Sequence, residues 1–379
     1  MLIKNCKIIF LDRIEAGDVL IKGSKIHKIN PENHEYEKEE VIDAQGLYLS
    51  PGFIDVHLHG AGGCDTMDGN IDSLNTISKT VAKYGTTSFL ATTMTCAIED
   101  IKKAVEASHK CMREGTEGAH VVGVHLEGPF ISPSMIGAQN PNFIAKPSID
   151  TFNYITNGHL EAIKSITLAP EVDGAKELIR YIKEQEIVIS IGHSKATYQE
   201  AIEGIKCGIG HSTHLYNAMT PLHHREPGIV GAIFDTDITT ETISDGIHIN
   251  YPSLRVAYKQ KGLDKVLLVT DAMMACGMPE GKYSLGGQDV FVKDGAARLK
   301  EGNLAGSILT LDKAIRNVYK NTNYLLNDIV KMATYNGAVL CKIQDRKGLI
   351  KEGYDADLVL FDDEINIKKV FIDGKVFRA

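Results

Sequence analysis

The 379-residue sequence predicts an α/β protein: a (β/α)8 TIM-like barrel with a small β-sandwich domain built from both termini. Three observations predict it. Eight apolar, β-branched runs alternate with helix-like stretches through the middle of the chain. Both ends read instead as short strands punctuated by turns. Histidines and carboxylates recur where the eight runs end, the rim on which barrel enzymes build their sites.

The N-terminal strands are "LIKNCKIIF", "DVLIKGSKIHKI" and "VIDAQGLYLSPG". The C-terminal ones are "GLIKEGYDADLVLFD" and "KKVFIDGKVFRA", in which "IDGK" reads as a hairpin turn. Residues 1–50 and 346–379 are therefore assigned to the small β domain, and 51–345 to the barrel. The barrel strands are expected at 52–57, 86–93, 120–127, 165–170, 187–193, 208–214, 238–246 and 265–271. Amphipathic stretches such as "AKELIRYIKEQ" and "TYQEAIEGIKCG" lie between them. Such strand–helix alternation implies parallel strands buried on both faces. The Gly-rich segment 278–307 reads as a hairpin-bearing loop. "SILTLDKAIRNVYKNT" and "NDIVKMATYNGAVLCKI" read as the helices that lead back to the β domain.

Composition narrows the function. Hydrophobic residues make up 43% and charged residues 24%, ordinary values for a globular chain, and the formal net charge is −8. That charge argues against non-specific nucleic-acid binding and against an anionic membrane surface. No apolar run approaches the ~18–20 residues of a membrane-spanning helix. Seven dispersed cysteines form no CxxC, and the N-terminus lacks a signal-peptide pattern. A cytoplasmic protein with reduced thiols is expected.

The strand ends carry the chemistry. The first ends in "HLH" (His57, His59), the third in Glu127, the fifth in His193, the sixth in His214 and the eighth in Asp271. His248 follows the seventh. Residues two apart on a strand share a face, so His57 and His59 can reach one ion. Imidazole and carboxylate suit Zn, Fe, Mn or Co. Each residue has a plainer reading: Glu127 could cap a turn, Asp271 could cap a helix, and a lone histidine could be a packed core residue. Caps and core histidines have no reason to choose strand ends repeatedly, so the joint pattern favours a metal site. Six candidates exceed the three or so protein ligands of one catalytic ion. Either two ions share a carboxylate, or one ion leaves spare groups for acid–base work. His125 and His211 are expected in the core or behind the ligands. His27, His34, His109, His120 and His159 are expected to be ordinary residues, and Cys64 a buried thiol.

The motifs "PGFIDVHLHGAGG", "HLEGPF", "GHS", "HLYNAM", "REPG", "DGIH" and "TDA" together resemble the amidohydrolase superfamily, and within it the N-acetylglucosamine-6-phosphate deacetylase family. The resemblance spans almost the whole chain. It implies hydrolysis of the acetamide of an N-acetylated amino-sugar 6-phosphate, assisted by divalent metal. By this resemblance Glu127, His193 and His214 hold one ion. His57 and His59 add a second, bridged by Glu127, with Asp271 nearby as the base for the water and the acid for the leaving amine. Two metals per subunit are expected because the H-x-H pair, lost in some members, is present.

The resemblance also assigns Asn217 and Ala218 to the sugar phosphate and His248 to the sugar. It puts Leu304, Ala305 and Gly306 near the acetyl group. Arg225 would grip phosphate from the neighbouring subunit, which implies a homodimer. Ala138 and Gln139 belong to the substrate side. Gln139 stands where some relatives carry histidine, and glutamine donates a hydrogen bond without carrying charge. Rivals are the N-acetylgalactosamine 6-phosphate enzyme, another amidohydrolase, and a barrel that has lost catalysis. A cyclic-amide hydrolase would use a carboxylated lysine after strand four, but this chain reads "LAPE" there. A non-catalytic scaffold should show a broken ligand set, and none is broken here.

Overall fold

The computed structural model describes residues 1–32, 35, 36 and 39–378; His34 lies outside the described residues. The chain opens with β1 (Leu2–Ile9), β2 (Ile14–Lys22), β3 (Lys25–Ile29), β4 (Val41–Asp43) and β5 (Tyr48–Pro51). It enters the barrel at β6 (Phe53–Leu58). A short hairpin, β7 (Gly60–Ala61) and β8 (Cys64–Asp65), follows. Then come α1 (Ile71–Ala82), β9 (Thr86–Thr92), α2 (Ile98–Glu114), β10 (His120–Glu127), α3 (Ile149–Thr156), β11 (Ile163–Leu168), α4 (Ala175–Glu184) and β12 (Val188–Ile191). The barrel continues with α5 (Tyr198–Cys207), β13 (His211–Ser212), α6 (Gly228–Asp235), β14 (Thr239–Ile243), α7 (Tyr251–Lys261) and β15 (Val266–Val269).

Eight parallel strands pair in the order β15-β14-β13-β12-β11-β10-β9-β6. Beyond β15 the ring closes on β6: Asp271 N–H donates to His57 O at 2.9 Å, and His59 N–H to Ala272 O at 2.9 Å. Helices cover the barrel because their apolar stripes need burial. In α4, Leu178, Ile179 and Ile182 face inward while lysines and glutamates face water. Thr197 and Glu200 form a capping box that starts α5 after the His193 loop.

After the barrel come β16 (Gly281–Leu285), β17 (Gln288–Lys293) and β18 (Ala296–Leu299), an antiparallel meander where a hairpin was expected. Its core of Leu285, Val290 and Val292 packs on Met94 and Met273 and roofs one side of the rim. Next are α8 (Leu311–Asn321), α9 (Leu326–Met332), α10 (Tyr335–Leu340), β19 (Leu358–Phe361), β20 (Ile367–Ile372) and β21 (Lys375–Arg378). "NDIVKMATYNGAVLCKI" was expected as one helix, but Thr334 (φ −134°, ψ −83°) separates α9 from α10. The break has a cause: Ala333 O accepts from Ile54 N–H at the start of β6, so it turns away from its own helix.

The terminal strands form one sheet in the order β21-β20-β19-β5-β1-β2-β3, with β4 on β1. It wraps a core of Ile3, Ile8, Val19, Leu49, Leu358 and Phe371, the expected small β-sandwich. The "IDGK" turn joins β20 to β21 with Asp373 at φ 50° and Gly374 at φ 72°, the left-handed pair of a tight hairpin. Phe361 stacks on Tyr48 at 5.6 Å and meets Phe53 at 6.5 Å, seating the sheet against the barrel base. The opposite end, where the parallel strands terminate, is left free for a site.

Candidate active site

β6 delivers His57 and, just past its end, His59. β10 delivers Glu127 as its last residue. His193, His214 and Asp271 follow β12, β13 and β15. All three adopt left-handed backbone, with φ of 47°, 29° and 49°. Such conformations cost about 1–3 kcal/mol each in non-glycine residues. They end the strands abruptly and bring the side chains over the barrel mouth.

The side chains converge. Glu127 Oε1 lies 3.1 Å from His214 Nε2, 3.2 Å from His193 Nε2 and 3.5 Å from His57 Nε2. Its other oxygen, Oε2, lies 3.3 Å from His59 Nε2. His193 Nε2 and His214 Nε2 are 3.1 Å apart, and His57 Nε2 and His59 Nε2 are 3.3 Å apart. Asp271 Oδ1 is 3.2 Å from His59 Nε2 and 3.4 Å from His57 Nε2. Two facing imidazole nitrogens share at most one hydrogen bond. A tetrahedral ion with bonds of about 2.0–2.1 Å, however, sets its ligand atoms about 3.3 Å apart. The donor set therefore fits divalent metal. Both Glu127–His193–His214 and His57–His59–Glu127 place ligand atoms together, with every member buried.

Electrostatics agree. Burial alone would lower the His57 pKa, but Glu241, Asp271 and Glu127 hold it up at about 9. His59 is likewise raised, against burial, by Asp271 and Glu127. Burial would raise Glu127, and His57 and His193 hold it well below the usual carboxylate range. The site is built to favour positive charge.

Above these groups opens a cavity of ≈ 260 Å³. A match to the amidohydrolase family model covers residues 48–377. The chain belongs to the amidohydrolase family.

Among relatives, it is 39% identical to an N-acetylglucosamine-6-phosphate deacetylase of Lysinibacillus sphaericus over 99% of this chain and 97% of that one. It is 34% identical to an N-acetylgalactosamine-6-phosphate deacetylase of Escherichia coli O157:H7, over 89% of each. Among solved structures, an N-acetylglucosamine-6-phosphate deacetylase from Pasteurella multocida superposes with a TM-score of 0.94 at 32% identity, covering 99% of this chain and 98% of that one.

Within this amidohydrolase cavity the structure gathers His59, Glu127, Ala138, Gln139, His193 and His214 with Asn217, Ala218, His248, Asp271, Leu304 and Gly306. Two expected substrate residues are elsewhere. Ala305 is buried in the meander core, its N–H donating to Ala297 O, and is not among the cavity's lining residues, although Leu304 and Gly306 on either side of it are. Arg225 lies in an exposed stretch, 221–226, with Nη1 2.6 Å from His224 Nε2. Among the described residues lining the cavity there is no lysine or arginine. Gln139 is held in place: its Nε2 donates to Glu127 Oε2 at 2.6 Å, and its Oε1 accepts from Thr95 N–H at 2.8 Å. Cys64 is half-buried in the β7–β8 hairpin rather than fully buried, and lines no part of the cavity.

Behind the ligands, His125 bonds Thr167 and meets the His57 ring edge-on at 4.7 Å. Burial, with His57 adding to it, pushes its pKa down to about 3. His27 is exposed. His109 and His159 stack near Glu161, and His120 meets Asp373, all outside the cavity lining. Two carboxylates escaped sequence reasoning. Asp245 Oδ2 lies 2.6 Å from His248 Nδ1 and orients that ring. Glu241 Oε2 lies 2.8 Å from His57 Nδ1. A lone glutamate inside the apolar, threonine-rich strand "TTETI" was the available signal for it.

Proposed function

We propose that this chain hydrolyses the acetamide of N-acetyl-D-glucosamine 6-phosphate to D-glucosamine 6-phosphate and acetate. The observation that carries the reading is Glu127 at the cavity floor, one oxygen toward His193 and His214 and the other toward His59. That is the arrangement of a carboxylate shared by two divalent ions, so we take two per subunit, from among Zn, Fe, Mn and Co. Bound there, metal supplies Lewis acidity to the water and to the acetamide carbonyl.

The chain's own groups do the rest. Asp271, at the cavity wall, takes a proton from the attacking water and returns it to the amine nitrogen as the C–N bond breaks. Gln139 holds Glu127 in register. His248, Asn217 and Ala218 line the sugar side, and Leu304 and Gly306 the acetyl side. That no lysine or arginine is among the described residues lining the cavity supports a homodimer in which Arg225 of one subunit grips phosphate in the other, its planar fork matching phosphate oxygens. A cytoplasmic setting is part of this reading, supported by seven unpaired cysteines; among the described residues no helix is long and apolar enough to cross a membrane. The galacto epimer remains the second reading, favoured by the similarity to the Escherichia coli enzyme.

Acetate release is the test, from both amino-sugar phosphates and from unphosphorylated N-acetylglucosamine, with each metal in turn. Turnover confined to the phosphorylated gluco substrate is expected. Equal turnover of the unphosphorylated sugar would remove the roles given to Arg225 and Asn217. Higher turnover of the galacto phosphate would replace the substrate.

A further inference from the structure

Below the cavity floor, Glu241 projects from β14 into the barrel interior with 1% of its surface exposed. Every contact it makes is a nitrogen donor. Oε2 lies 2.8 Å from His57 Nδ1 and accepts from the His214 backbone N–H at 3.1 Å. Oε1 lies 3.1 Å from His211 Nε2, and His211 Nδ1 lies 2.6 Å from Thr239 Oγ1. An ionised carboxylate only accepts, so the proton it shares with His57 sits on Nδ1. That leaves His57 Nε2 free and aimed at Glu127, His59 and Asp271.

The other three imidazoles differ at their rear nitrogens. His193 Nδ1 faces a neutral acceptor, Met135 O, at 3.0 Å. His59 Nδ1 and His214 Nδ1 are buried without a hydrogen-bond partner. Among these four candidate ligands, then, only the His57 ring is backed at its rear nitrogen by a full negative charge. A carboxylate behind a ligating histidine fixes its tautomer and raises its basicity. It also places a compensating charge under the ion.

We infer that Glu241, itself held by His211, which Thr239 holds in turn, is a positioning residue that sets how tightly the H-x-H ion is retained, and that it bears less on the Glu127–His193–His214 ion, whose ligands it touches only through the His214 backbone N–H. This rests on the reading that His57 ligates an ion.

The experiment compares wild type, Glu241→Gln, Glu241→Asp, His211→Gln and His57→Asn after reconstitution with zinc. Stoichiometry is read by elemental analysis, and each site's affinity by competition with a chelator. Glu241→Gln keeps shape and removes charge. It is expected to weaken one zinc site about 10–100-fold, the usual cost of losing such a support, and to leave the other within about threefold. Glu241→Asp, which restores the charge, should recover part of the loss. His211→Gln, which leaves Glu241 charged but loosely held, should weaken the same site by a smaller factor and stands in should Glu241→Gln not fold. If His57→Asn loses one ion while the Glu241 and His211 variants bind both as wild type does, or weaken both equally, the inference falls and the two-ion reading stands. If His57→Asn binds as many ions as wild type, the two-ion reading falls and takes the inference with it.

Discussion

Replacing Asp271 with asparagine tests the proton shuttle with the least structural disturbance. The side chains are the same shape. Asn is also among the few residues that tolerate left-handed backbone, so the φ of 49° at this position costs little extra. What disappears is the capacity to take and return a proton. Burial would raise the Asp271 pKa, but His57 and His59 hold it below the ordinary carboxylate value, so the group is an anion ready to accept. It sits 3.2 Å from His59 Nε2 and lines the cavity. General acid–base assistance is worth about 10²–10⁴-fold, or roughly 3–5 kcal/mol of barrier. The expected Asp271→Asn enzyme therefore keeps its metal, keeps KM within about threefold and loses kcat by that factor, the pattern of an interaction made only in the transition state. Acetate release at saturating substrate, with elemental analysis of the same samples, reads both quantities. A kcat within tenfold of wild type at equal metal content would refute the assignment.

Arg225→Ala should raise KM for the phosphorylated substrate by about 10–100-fold, the loss of one charged phosphate contact, with kcat little changed; steady-state kinetics on that substrate checks it. Gly60→Ala puts a Cβ 2.3 Å from Cys64 O, a backbone atom that cannot step aside, so thermal or urea melts should show about 1–3 kcal/mol of destabilisation. Asp355 meets Lys25, Arg346 and Lys347; burial would raise its pKa, yet these partners hold it at about 2. With the folded value depressed, its stabilisation is full above about pH 4 and is lost as pH falls toward 2. Two of the three cations are about half exposed, which reduces the gain to about 1–2 kcal/mol; Asp355→Asn should lose that at pH 7 and little at pH 2, read by urea titration.

Much of the candidate site was legible because groups able to hold metal stand at recognisable places on strands. The i, i+2 relation of His57 and His59 follows from strand geometry alone. Glu127, His193, His214 and Asp271 announced themselves by standing where apolar runs stop. The eight barrel strands were likewise visible as buried runs between amphipathic helices. The break at Thr334 was not, because it depends on Ile54, far away in the chain, claiming the Ala333 carbonyl. Glu241 was missed for a related reason, whereas Asp245 stands only three residues before its partner His248. A buried acid is meaningful only through its partner: His211 lies on β13, the strand paired with β14, and His57 lies on β6, which only ring closure past β15 brings across the barrel interior to Glu241.

From the sequence alone came the barrel class, the H-x-H pair and the set of groups able to hold metal, all consequences of periodicity and side-chain chemistry. The tertiary structure decided which oxygen of Glu127 faces which imidazoles, that Gln139 grips that carboxylate, that Ala305 is buried in the meander core, and that His57 alone of the four candidate ligating histidines is backed by an anion. Those are relations between strand ends that are distant in the chain, set by register and ring closure at ångström precision, and no local pattern encodes them.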